Sequence, residues 1–279
     1  MAINNQNGYG AISIRKVGKI YDPEGVHVEA MRDCSFEIAA GEFAVIVGPS
    51  GCGKTTLLNA IAGFDTITSG EIYLDEELIS SPRKQIKPDV DRMVVFQNGA
   101  LFPWKTVVEN ITYGPLVQRK MKKPEAMDAA RDMLSKVGLN EIEDKYPEEL
   151  SSGVQRRVEI LRALINKPKV VMLDEPFRGL DAIAKTVMHE FLVQIFCTAS
   201  NTMFFITHDL DEAIFLGHKV VIMTTRPAQV KKIVTVNLPW PREHHLKGSE
   251  TYLDLKREVL EAVHEEAKKA FEAGEREMA

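Results

Sequence analysis

Three observations on the sequence predict an α/β fold with a mainly parallel sheet. Strand-like and helix-like segments alternate along the chain. Four short runs rich in β-branched or aromatic residues, 43–47 (FAVIV), 170–173 (VVML), 203–206 (MFFI) and 220–223 (VVIM), are too short for buried helices and are flanked by charged or turn residues. The first run leads directly into a glycine-rich loop and then a helical pattern, Lys54 to Ala62. Composition agrees: 279 residues with 44% hydrophobic and 27% charged side chains are ordinary for a globular protein and too apolar for a disordered one. The longest apolar runs, such as Ala44 to Val47, end after about four residues, where a membrane span needs roughly 18 or more.

Residues 11–80 carry alternating segments, Ala11 to Val17 and Glu71 to Leu74, with Gly41 and Gly70 expected at turns, and read as a β-rich lobe. Residues 104–165 change character. Helix formers (Glu125 to Val137) with Pro115, Pro124 and Pro147 as punctuation read as a helical insertion, and its basic stretch Arg119, Lys120, Lys122, Lys123 as a solvated helix end. After Arg226-Pro227 and the Pro239-Trp240-Pro241 turn comes a charged tail, so the chain divides into residues 1–240 and a helical tail, 241–279. In that tail Tyr252, Leu255, Val259, Val263, Ala267 and Phe271 are spaced for one helical face, predicted to pack on the domain or on a second copy. The N-terminal MAINNQNGYG lacks the basic and apolar regions of a secretory signal. Cys34, Cys52 and Cys197 are too few and scattered for a disulfide framework or a zinc site, which fits a reducing cytoplasm. With 35 Lys+Arg against 40 Asp+Glu the net charge is −5, which gives no reason to expect nucleic acid.

Residues 48–55, GPSGCGKT, complete a G-x-x-x-x-G-K-[ST] pattern that chance supplies in roughly one chain in a hundred. Its strand–loop–helix setting is the one phosphate binding needs. Gly48, Gly51 and Gly53 let backbone N–H groups curl around phosphate oxygens, and the following helix adds its positive end. Lys54 is predicted to reach the β- and γ-phosphates and the Thr55 hydroxyl to coordinate Mg²⁺; Cys52 reads as a small space-filling residue. Asp174 and Glu175 emerge where the strand VVML ends, at the sheet edge where ligands bind such folds. Asp174 suits an outer Mg²⁺ position. Glu175, expected to face the other way, suits holding the attacking water. His208 follows the strand MFFIT at the same edge, placed for a γ-phosphate contact, whereas His189, His218, His244 and His245 read as surface residues.

Together these residues resemble the nucleotide-binding subunits of ATP-binding-cassette (ABC) transporters, in order and spacing, across about 220 residues. LSSGVQRR at 150–157 resembles the family signature, followed by VVMLDEP, RGLD at 178–181 and THD at 207–209. The resemblance implies a P-loop NTPase of ABC type, with a RecA-like parallel core, an antiparallel β lobe and a helical subdomain. It implies that Tyr21 stacks on adenine, that residues 48–55 and Thr56 (Pro49 and Ser50 included) cradle ATP, and that Gln97 senses Mg²⁺ and water. Asp181 would couple the two sites of a dimer. Ser151, Ser152 and Gly153 precede an apolar-periodic stretch and read as a helix N-terminus, an anion site in its own right. In the family that site meets the γ-phosphate held by a second copy, so that two chains sandwich two ATP molecules. Ser152 stands where the family usually has glycine; its Cβ fits if φ is negative, and Ser152 with Gln155 has capping-box spacing. Arg178 stands where a small residue is commoner and has no reading from sequence.

FQNGALFPWKTVVENITYG (96–114) and THDLDEAIFLGHKVV resemble the ATPases of importers for nitrate, sulfonates, taurine or bicarbonate-like oxyanions. Ala100, Leu101, Phe102, Pro103 and Trp104 then read either as a groove for a permease helix or, for Phe102 and Trp104, as core. The implied protein is an ATPase at the cytoplasmic face of the membrane that works with transmembrane permease subunits and, indirectly, a solute-binding protein. Three alternatives stand beside it: a soluble ABC ATPase unconnected with transport, a regulatory subunit that binds ATP without hydrolysing it, and an exporter ATPase, a kind commonly fused to its membrane spans.

Overall fold

The computed structural model describes residues 9–22, 25–84, 87–199 and 201–272; most of the N-terminal segment read above for a signal lies outside them. In chain order the strands are β1 (Ile12–Tyr21), β2 (Val28–Ile38), β3 (Phe43–Val47), β4 (Ser69–Leu74), β5 (Glu77–Ser80), β6 (Arg92–Val95), β7 (Val170–Asp174), β8 (Thr202–Ile206), β9 (Lys219–Met223) and β10 (Val230–Thr235). The helices are α1 (Lys54–Ala62), α2 (Val107–Val117), α3 (Lys123–Lys136), α4 (Ser152–Leu164), α5 (Ala182–Thr198), α6 (Leu210–Leu216) and α7 (Glu250–Glu272).

The sheet order β10-β9-β3-β8-β7-β6 is parallel except at β10, and β2-β1-β4-β5 forms a separate antiparallel sheet. Strand β3 shows why its run is uninterruptedly apolar. Phe43, Val45 and Val47 face a core shared with α2, α4, α5 and α6, while Ala44 and Ile46 face one shared with α1 and the antiparallel sheet. Both faces are covered, so no polar alternation survives. The register pairs Leu173 with Val95 and Phe205, and Ile46 with Ile206, so the residues after β3, β6, β7 and β8 leave the sheet along one edge.

Local expectations need three corrections. Gly70 lies inside β4, not in a turn: its φ is +81° and a Cβ there would sit 2.3 Å from the Lys16 carbonyl, opposite the irregularity in β1. Pro115 is carried within α2, which Thr106 and Glu109 start with a capping box. In α7 the apolar stripe fails beyond Val263, because steps of four residues advance 40° per step on a 100° helix. Ala267 is exposed and Phe271 is 83% exposed; the buried line runs through Tyr252, Val259, Ala262, Glu266 and Ala270, against α6, β9 and β10. The basic stretch is exposed between α2 and α3 apart from the half-buried Met121 within it. Among the described residues no helix is long and apolar enough to cross a membrane.

Candidate functional site

Beyond β3 the loop at 48–53 turns back over the start of α1. Gly51 (φ +72°) and Gly53 (φ +115°) take left-handed backbone, and a Cβ on Gly53 would stand 3.0 Å from the Ala30 carbonyl. The first N–H groups of α1 are thereby aimed along the sheet edge. Lys54 is buried and its Nζ donates to the Gly48 and Pro49 carbonyls, 2.9 Å each. Cys52 is buried behind the loop, filling space as expected.

A cavity of about 400 Å³ opens over this loop. Tyr21, Ser50, Gly51, Gly53, Lys54, Thr55, Thr56, Gln97, Asp174 and Glu175 line it, as does Arg178. A larger apolar cleft of about 830 Å³, walled by Met133, Leu161, Leu164 and Ile195, contains none of the candidate residues.

Two sets of contacts organise the carboxylates. The Thr55 hydroxyl donates to Asp174 Oδ2 (3.1 Å), joining the ends of β3 and β7. Burial pushes the Asp174 carboxyl above its usual range, with the Glu175 charge adding to this and the Thr55 hydrogen bond and Lys54 opposing it. Glu175 follows β7 with φ +43° and lines the same cavity as Asp174. Gln97 Nε2 donates to Glu175 Oε2 (3.2 Å), and His208 Nδ1 lies 3.4 Å from Oε1. Three segments far apart in sequence thus meet on one carboxylate. Tyr21 borders the cavity at the other end, its hydroxyl donating to Asp65 Oδ2 (2.7 Å).

The signature residues stand apart from this cavity within one chain. Ser151 caps α4, accepting from the Val154 N–H at 3.5 Å, and Ser151 and Ser152 are exposed. Ser152 is the first helical residue with negative φ, as a Cβ requires, but the capping-box reading is wrong. Gln155 Nε2 donates to the Pro147 and Leu150 carbonyls, because the cap is one residue earlier than that spacing assumed. Asp181 caps α5 through the Ile183 and Ala184 N–H groups (2.9 Å each).

Three histidines expected at the surface are not there; one, His244, is half-buried and stacked on Phe215. His189 is 4% exposed, packed on Phe177 and Phe215, and His218 accepts the Phe43 N–H (3.2 Å) in a half-buried site beside Trp240. Burial, reinforced by nearby cations, depresses both to about 4. Trp104 is 70% exposed and Phe102 packs against it, Tyr113 and the Arg162 guanidinium, which removes the core reading for Trp104.

Sequence reasoning missed several supports. Arg226 donates to the Gly51 carbonyl (3.0 Å), Asp65 holds Tyr21, and buried Arg156 donates to the Phe96 and Gln97 carbonyls (2.6 and 2.7 Å). Arg156 lies in the signature segment itself, and an arginine on the buried face of an amphipathic helix was the available signal.

Residues 31–178 match the family model described as ABC transporter. The chain is similar to the aliphatic sulfonates import ATP-binding protein SsuB of Bacillus cereus, 38% identical over 90% of this chain and 94% of that protein. It is likewise similar to the nitrate import ATP-binding protein NrtD of Synechocystis, 39% identical over 83% of this chain and 85% of that one. Among solved structures it resembles a dimeric post-hydrolysis state of an ATP-binding cassette bound to ADP and Pi, with a TM-score of 0.68, 28% identity, and coverage of 82% of this chain and all of that one.

Proposed function

The chain belongs to the ABC transporter family, and from that premise we propose that it is the ATP-hydrolysing subunit of an importer for a small oxyanion, of the sulfonate, taurine or nitrate kind. The observation that carries this reading is the convergence of the phosphate loop, Gln97, Asp174 and Glu175 on one cavity that Tyr21 also lines, with His208 against Glu175.

In this reading Tyr21 stacks on the adenine, and the loop N–H groups with Lys54 hold the β- and γ-phosphates. Lys54 exchanges the Gly48 and Pro49 carbonyls for phosphate oxygens, a stronger charge-assisted pairing. Glu175 accepts a hydrogen bond from the attacking water, with Gln97 orienting its carboxylate and His208, 3.4 Å from that carboxylate, placed for a contact to the γ-phosphate. The donor set suits Mg²⁺. A hydroxyl (Thr55) and one carboxylate (Asp174) already sit 3.1 Å apart, and Mg²⁺ characteristically binds one or two such groups plus substrate phosphates. When bound it neutralises phosphate charge; Gln97 borders the same position.

Ser151, Ser152 and Gly153 at the α4 N-terminus would complete the site of a second copy, and Asp181 would couple the two. ATP that touches both chains only in the closed pair shifts the population toward that pair. In this reading Phe102 and Trp104 offer an aromatic contact for the permease, and the protein works peripherally at the cytoplasmic face of the membrane. Residues 241–279 read as a tail appended to the ATPase unit of residues 1–240.

Affinity capture of the tagged chain from detergent-solubilised native membranes tests the assignment. A multi-span permease in equal amount is expected; ribosomal or DNA-repair partners alone would favour the soluble-ATPase alternative.

A further inference from the structure

We propose that Arg178 is a second phosphate-sensing cation, whose guanidinium leaves the Glu175 carboxylate for the γ-phosphate of ATP and so distinguishes triphosphate from diphosphate. The inference rests on the reading of the site given above.

The backbone delivers this side chain to the site. The Arg178 N–H donates to the Glu175 carbonyl (3.1 Å) and the Leu180 N–H to the Phe177 carbonyl (3.2 Å), closing two overlapping turns. Buried Phe177 pins them from below, and Gly179 takes the left-handed φ of +79° that ends the second. Residues 175 and 178 therefore project together, and Arg178 Nη1 lies 3.7 Å from Glu175 Oε2. Arg178 borders the same cavity as Lys54, Thr55 and Asp174.

The pairing is built to be exchanged. At 3.7 Å, with the arginine side chain 56% exposed, a single loose contact among the described residues holds it, and such pairs contribute little. The other cations on the cavity wall sit on backbone oxygens, Lys54 on Gly48 and Pro49 and Arg226 on Gly51. A terminal phosphate offers a guanidinium short bidentate hydrogen bonds, far stronger than this contact. The water that Glu175 holds attacks the γ-phosphorus, so γ-phosphate oxygens come within reach of a side chain already touching Glu175. The same exchange relieves Oε2, which Gln97 and Arg178 both address, and leaves it free to accept from that water. ADP ends at the β-phosphate, over the loop, and leaves Arg178 on Glu175.

The test is titration calorimetry of the full chain with a non-hydrolysable ATP analogue and with ADP, on Arg178→Ala, Arg178→Lys and Lys54→Ala. Arg178→Ala is expected to weaken the triphosphate about tenfold and ADP less than twofold, with Arg178→Lys between. Equal weakening of both nucleotides, or of neither, overturns the proposal; an unchanged melting temperature shows that a loss is not unfolding. Lys54→Ala separates the two levels of inference. If it leaves both affinities intact, the site reading itself fails. If it abolishes both while Arg178→Ala shows no selectivity, only the role of Arg178 falls.

Discussion

Two histidine-bearing regions treat the same side chain in opposite ways. At the sheet edge the His208 side chain is 62% exposed, with one ring nitrogen directed at Glu175. Beneath the C-terminal segment His189 is buried, neither ring nitrogen has a hydrogen-bond partner among the described residues, and the ring packs as one aromatic among Phe177, Phe215 and His244. The edge keeps polar groups in reach of one another and of a ligand. The region under the tail strips them of charge and uses their area. Substitutions at the edge should therefore remove activity and spare stability, and substitutions under the tail should do the reverse.

The sharpest break of that contrast is Glu175→Gln. Losing the acceptor for the attacking water should lower kcat by about 10²–10⁴-fold, with ATP binding retained and the melting temperature unchanged. A near-normal turnover would remove Glu175 from its role. Lys54→Ala comes next. Lys54 is the buried cation of the phosphate loop, and its loss should weaken ATP on the order of a hundredfold in an equilibrium titration.

How much of this contrast was legible in the sequence depends on how local each part is. The phosphate loop is contiguous with its strand and helix, and Asp174 and His208 sit where apolar runs stop, so all were readable. Arg226 was not, because the bond to Gly51 spans 175 residues and exists only once the sheet has closed. His189 was misread for a different reason. Its neighbours Met188, Phe191 and Leu192 are all buried, and the helical period would have placed position 189 with them, had burial rather than polarity been followed. The α7 stripe failed through arithmetic, since a four-residue repeat rotates off the face it starts on.

Under the tail, acid should expose the cost of the buried ring. His189 is depressed from 6.5 to about 4 by burial first and then by Lys247 and His244. The unfolded chain takes up a proton near 6.5 and the folded one does not, so this contribution is complete above 6.5 and is lost as pH falls toward 4. The shift corresponds to on the order of 3 kcal/mol. Urea midpoints of wild type and His189→Phe, compared at pH 7.5 and 5, isolate it from Asp174 and Glu212, whose raised values act in the opposite sense. The variant should be less sensitive to acid and, having no unpaired ring nitrogens, at least as stable at neutral pH. An identical pH response in both proteins would mean that His189 is not the group responsible.

Tyr252→Phe gives the smallest effect and the cleanest separation of the two regions. The Tyr252 ring is 1% exposed under α6, and its hydroxyl is directed at the Asp211 carbonyl and Oδ1, 3.1 Å each. Phenylalanine keeps the buried ring and removes only that hydrogen bond. Asp211 is not stranded by the change, because Lys256 Nζ still reaches both its carboxylate oxygens (2.9 and 2.8 Å). The loss should therefore be about 1 kcal/mol, the net worth of one hydrogen bond, rather than the larger penalty of an unsatisfied buried acceptor. Asp211 lies in the first turn of α6, just after His208, so the tail touches the helix that follows the site. If the regions are as separate as their histidines indicate, ATP turnover of Tyr252→Phe should stay within about twofold of wild type, since the roughly 1 kcal/mol lost is stability and not transition-state binding. A drop in kcat well beyond that, at a temperature where the variant is fully folded, would show that the tail positions His208 and that the contrast is one of degree.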